Sequence, residues 1–122
     1  MTRVARWFLW IEAAAFGAAA LLHTGVFGGG HLHGKAATAE TVIGLVLVAG
    51  LLATFMAPQR SRGIALGVQG FALLGTIVGL ITIAIGVGPR TALDLMMHAG
   101  FVATLVLGMV RVAGRNRAVP AS

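Results

Sequence analysis

Four long apolar runs divide the chain, with short polar stretches between them. The first extends from about Trp7 to Phe27 and is interrupted by Glu12 and His23. The second, about Ala39 to Ala57, carries Glu40 at its lip. The third, about Gly63 to Val87, holds only Gln69 as a strongly polar residue. The fourth, about Ala92 to Val112, has Asp94 and His98 near its start. Each run is close to the roughly 20 residues that a helix needs to cross a 30 Å hydrocarbon core. Backbone groups in lipid must be satisfied within their own segment, which favours helices. No run alternates polar and apolar residues at period two, as barrel strands do. The pattern predicts an all-α fold, a four-helix transmembrane bundle that takes residues 1–122 as a single domain.

The connections agree with this division. Residues 28–38 form a loop rich in Gly and His. Pro58-Gln59-Arg60-Ser61-Arg62 and Gly88-Pro89-Arg90-Thr91 read as tight turns, each with a helix-stopping Pro. Arg3, Arg6, Arg60, Arg62, Arg111, Arg115 and Arg117 fall on one side of the spans, and Lys35 and Arg90 on the other. This bias predicts that both termini face the cytoplasm of a bacterial inner membrane, with Trp7 and Trp10 at the inner interface. Arg3 and Arg6 before an apolar run resemble the start of a signal peptide. The run is longer than an ordinary signal core and contains Glu12, so the expectation is a retained first span.

Composition narrows the function classes. Hydrophobic residues make up 58% of the chain and charged residues 10%, too few charges to cover a soluble surface. With no Cys, disulfide, thiolate-metal, iron–sulfur and Cys-nucleophile chemistry are excluded. The net charge of +6 does not point to nucleic acid, because the basic residues flank apolar runs instead of forming a stripe with stacking aromatics. The expected partners are the lipid bilayer and either a second copy of the chain or a larger membrane complex.

The polar residues inside the spans are segregated by depth. At about 1.5 Å per residue, His23 lies about 6 Å and His98 about 9 Å below the outer surface. Glu40 and Asp94 sit at the outer lip, and His31 and His33 in the outer loop. Glu12 alone lies toward the inner side, at nearly the depth of Gln69. Asp94 and His98 are spaced i, i+4 and share a face with Phe101, Leu105 and Gly108. Glu12 and His23 are about three turns apart and share a face with Phe16 and Ala19. Intramembrane ionisable groups usually face the bundle interior, so the two faces are expected to meet. The predicted site is a pocket opening outward, lined by His23, Glu40, Asp94 and His98 and lidded by His31 and His33. A neutral Glu12 would hydrogen-bond the Gln69 amide. Gly63-xxx-Gly67 and Gly75-xxx-Gly79 supply the small-residue spacing that lets helices approach closely.

The same residues admit several chemistries. His23 and His98 are candidate ligands for haem iron or a divalent metal, with His31 and His33 as further metal ligands. The plainer alternative has His98 bonded to Asp94, and His23 bonded to Glu40 or a carbonyl. Glu12 with Gln69 is either a proton-coupling site, as intramembrane acids are in transporters, or a pair that fixes helix register. No hydrolase elbow, P-loop, dinucleotide fingerprint or zincin motif is present. Four spans, this chain length and a Glu in the first span resemble the small multidrug resistance transporters. The likeness covers only those features. The chain has no Tyr for that family's aromatic pocket, and Trp10-Ile11-Glu12-Ala13-Ala14-Ala15 differs from its first-helix motif. The Ala-, Gly- and Arg-rich composition also resembles small four-span integral membrane proteins of bacteria. The function expected is a membrane binding or accessory protein with an outward His/carboxylate pocket. The alternatives are a haem or metal redox protein and a small proton-coupled transporter.

Overall fold

The computed structural model describes residues 2–114. Arg115 and Arg117, counted above for topology, lie outside the described residues. Helix α1 spans Thr2–His23, α2 Gly34–Met56, α3 Ser61–Ala84 and α4 Ala92–Ala113, with single 3-10 turns at Gly29–His31 and Pro58–Arg60. All four helices are long and apolar enough to cross a membrane. They run up and down as an all-α bundle. One end holds the start of α1, the α2–α3 turn and the end of α4; we call it the arginine end. The other holds the α1–α2 and α3–α4 loops; we call it the histidine end. Around the bundle α1 packs most extensively on α2, α3 lies beside both α2 and α4, and a smaller α1–α4 contact closes the ring.

The buried positions explain why four such helices associate. In α1 Ala5, Leu9, Glu12, Phe16, Ala19 and His23 follow one another alternately four and three residues apart, with Ala20 buried beside them. In α4 Asp94, His98, Phe101, Leu105, Gly108 and Val112 repeat the same spacing. This is the seam of left-handed helix packing. The acidic, imidazole and amide side chains within the helices, Glu12, His23, Glu40, Gln69, Asp94 and His98, are all buried, whereas the basic ones lie near the helix ends. The opposite faces present Leu45, Leu52, Leu74, Ile81 and Val110 outward, a surface that a bilayer solvates and water does not.

Several helix ends differ from the apolar runs, for local reasons. Helix α1 begins at Thr2, so Arg3 and Arg6 are helical and Glu12 lies near mid-helix. It stops at His23 instead of Phe27, because Gly25 takes a positive φ of 78° and turns the chain. The His33 amide then donates to the His23 carbonyl at 2.9 Å. Helix α2 starts at Gly34, ahead of its apolar run, because the His33 ring accepts the Ala36 amide as an N-cap. Helix α3 ends at Ala84. Helix α4 begins at Ala92, as expected, behind a Thr91–Asp94 capping box. The small-residue stripes divide. A methyl at Gly75 would meet Ile43 of α2, and one at Gly79 the His98 ring, so this stripe does serve close packing. Gly63, Gly67 and Gly70 have nothing within 4 Å. That stripe makes no close approach within the chain.

Candidate functional site

The histidine end gathers one side chain from each of three helices. His23, the last residue of α1, is fully buried. Its Nδ1 lies 2.7 Å from Glu40 Oε2 of α2, and its Nε2 lies 2.9 Å from Asp94 Oδ1 of α4. Asp94 is fixed from behind. The Thr91 amide donates to its Oδ2 at 2.8 Å, the Thr91 hydroxyl donates to the same oxygen, and the Asp94 amide donates to Thr91 Oγ1. The helix cap thus aims the other carboxylate oxygen at His23. One turn further along α4, His98 Nδ1 donates to the Asp94 carbonyl at 2.8 Å. The neutral His98 ring therefore carries its proton on Nδ1 and has a lone pair on Nε2.

Proton counting constrains the cluster. The two His23–carboxyl contacts are both hydrogen bonds only if the three groups hold at least two protons between them. An imidazolium between two carboxylates satisfies this, as does a neutral ring with one carboxylic acid. Either arrangement leaves one net negative charge. Glu40 Oε1 has no donor although Glu40 is only 5% exposed. Leaving such an acceptor unmet costs on the order of 1–3 kcal/mol.

A cavity of about 160 Å³ lies beside this network between α2, α3 and α4. Its polar lining includes Glu40, His98, Thr76 and Thr82; its apolar lining includes Phe16, Ile43 and Phe101; His33 and Lys35, from the start of α2, line it as well. The Gly79 backbone makes room for the His98 ring, since a methyl there would lie 2.8 Å from Nε2. Of the residues expected to line an outward pocket, Glu40, His98 and His33 do. His23 and Asp94 stand behind the wall and hold Glu40 and His98 in place. His31 does not reach the cavity, and its Nδ1 is buried without a partner. Lys35 and Thr91 were missing from the sequence expectation. The Thr-x-x-Asp spacing before an apolar run is a capping signature that could have revealed Thr91.

A second polar layer lies toward the arginine end. Gln69 Nε2 of α3 donates to both oxygens of Glu12, at 2.8 and 3.1 Å, the contact expected from their matched depth. Both residues are buried. A methyl at Gly108 would meet Gln69 Nε2, Glu12 Oε1 at 2.6 Å and Phe8 at 2.9 Å, so only Gly fits opposite the pair. Between the two layers Phe16 of α1 and Phe101 of α4 stack with ring centroids 4.2 Å apart. His23 directs both ring nitrogens to carboxylates, so it presents no free nitrogen to pair with His98. Among the described residues no group of three His, Asp or Glu is arranged to hold a metal ion.

Fold and site together describe a multi-pass, four-helix membrane protein with a buried histidine–carboxylate network beside a small cavity. Comparison with protein-family models, with curated proteins and with solved structures finds no match to this chain.

Proposed function

We propose that the protein is a membrane-embedded binding protein. Its histidine-end cavity takes a small ligand with an apolar body and a donor-rich, cationic head, such as a primary ammonium. The observation that carries this reading is the buried Glu40 Oε1 without a donor, on a residue that lines the cavity. His98 Nε2 is a second acceptor on the same wall. The adjoining network carries a net negative charge, which an ammonium would neutralise. An apolar cavity of about 150 Å³ holds benzene, so a body of about six heavy atoms suits a cavity of this size. Because His23 already shares protons with Glu40 and Asp94, a proton passed from Glu40 to His23 would leave a carboxylate at Glu40 facing the ligand's cationic head, with the network's net charge unchanged. The arginine bias supports a cavity on the outer side of a bacterial inner membrane.

The Glu12–Gln69 pair lies apart, behind the Phe16–Phe101 stack. We read it as fixing the register of α1 against α3. That reading gives a Glu12-driven transporter no route between the layers, and His23 offers haem or metal no free ring nitrogen.

The test compares cyclohexylamine, cyclohexanol and methylcyclohexane as probes of the detergent-solubilised protein, read by thermal unfolding. The amine should stabilise most and the hydrocarbon least. Glu40→Gln should remove the amine's advantage while leaving the weaker alcohol effect. Equal stabilisation by all three, or an amine advantage that survives Glu40→Gln, would overturn the reading.

A further inference from the structure

A groove of about 400 Å³ runs along the outside of the bundle at the arginine end, between α1 and α2. It is lined by Arg3, Arg6, Trp7, Trp10, Leu51 and Phe55. We propose that this groove is a binding site for an anionic phospholipid, whose phosphate lies between the two guanidinium groups and whose acyl chain runs along the indole and phenyl walls.

Arg6 is built into position. Its Nε donates to Thr54 Oγ1 at 3.1 Å, and its Nη2 donates to the Thr54 carbonyl at 2.7 Å. Its guanidinium carbon lies 3.8 Å from the centre of the Phe55 ring, a cation–π stack. These contacts fix the guanidinium before any ligand arrives, so little further side-chain entropy is lost on binding. The Nη1 donors remain for an anion, in the planar arrangement that suits phosphate oxygens.

No acidic side chain is free to neutralise this site. Its three acids are Glu12, Glu40 and Asp94. Glu12 is buried against Gln69, and the other two are engaged at the opposite end. The first turn of α1 also has no acidic residue, although a helix N-terminus favours negative charge. Arg3, Arg6 and the start of α1 thus converge as positive charge on a lipid-facing surface. Trp7 and Trp10 are 61% and 59% exposed, and aromatic rings of this kind settle at headgroup level. A second protein chain would have to bring its own acids to this depth. The bilayer already holds phosphate there, with an apolar chain attached. A zwitterionic lipid fits less well, because its ammonium would be repelled by the arginine pair.

The tryptophans make the site directly measurable, because the chain has only two Trp and no Tyr. The full chain is reconstituted in phosphatidylcholine bilayers and titrated with brominated phosphatidylglycerol or brominated phosphatidylcholine, and Trp quenching is read. Each arginine contributes up to about fivefold in affinity for anionic lipid, so the pair should favour phosphatidylglycerol by up to about 25-fold. Arg3→Gln, at an exposed position that makes no contact holding the fold, should reduce this preference several-fold. Arg3→Gln with Arg6→Gln should abolish it. Arg60→Gln with Arg111→Gln, at the same end but outside the groove, should leave it intact. Equal quenching by the two lipids in the unaltered chain would overturn the proposal. So would an equal loss in the Arg60/Arg111 variant, since that is bulk surface potential and not a site. Displacement of the brominated lipid by inorganic phosphate would overturn the assignment to a lipid.

Discussion

The two buried polar layers of this bundle are built from similar parts and have opposite characters. At the histidine end, His23, Glu40 and Asp94 tie α1, α2 and α4 together, and an acceptor is left over beside a cavity. Toward the arginine end, Glu12 and Gln69 tie α1 to α3, with the Gly108 backbone pressed against them. Each layer pairs most of its polar groups, as lipid demands, and each leaves one buried oxygen without a donor, Glu40 Oε1 in one and Gln69 Oε1 in the other. At the histidine end the unmet oxygen stands beside a cavity, with protons shared through His23 and a second imidazole, His98, on the same wall. A buried charge in a membrane helix is therefore not by itself a working site. What separates the two cases is whether the surrounding backbone closes over the group or stands away from it.

The largest expected effect tests this difference at its centre. His23→Leu leaves Glu40 and Asp94 facing each other without their shared donor. Breaking a buried charged network by removing one partner costs about 3–5 kcal/mol. Unfolding in a denaturing detergent should register a loss of that order; a loss below about 1 kcal/mol would mean that the outer layer does not hold α1, α2 and α4 together. A smaller effect is expected at the inner layer. Gly108→Ala puts a methyl into Glu12, Gln69 and Phe8, an overpacking that costs about 1–3 kcal/mol. Gly100→Ala on the same helix, where the added methyl meets nothing within 4 Å, should be neutral in the same measurement. Equal effects of the two glycine variants would remove the claim that the inner layer is closed by backbone contact. The smallest effect belongs to Glu12→Gln. An amide can replace the carboxyl opposite Gln69, so stability should change by no more than about 1 kcal/mol, and amine binding at the far cavity should not change. Loss of amine binding in Glu12→Gln would show that the layers communicate across the Phe16–Phe101 stack, and the contrast between them would fail.

The sequence by itself determined the four helices, because runs of about 20 apolar residues have few other folded forms. It also indicated which polar residues share a depth and a face, since helical rise and periodicity are fixed by the backbone. That arithmetic was enough to pair Glu12 with Gln69 and to turn the Asp94–His98 face toward that of His23. It was not enough for the helix ends. The start of α1 at Thr2 and its stop at His23 depend on arginines that are helical although hydrophilic and on a positive φ at Gly25, and hydropathy marks neither. Nor did spacing show which small-residue stripe would be used: Gly75 and Gly79 meet side chains of neighbouring helices, whereas Gly63 and Gly67 meet none. Only the tertiary structure decided that His23 spends both nitrogens on carboxylates, that Thr91 aims Asp94, and that Glu40 and His98 border a cavity. Those facts depend on the order and rotation of four helices about one another. That arrangement is settled by side-chain packing between segments, which the periodicity of any single segment does not record.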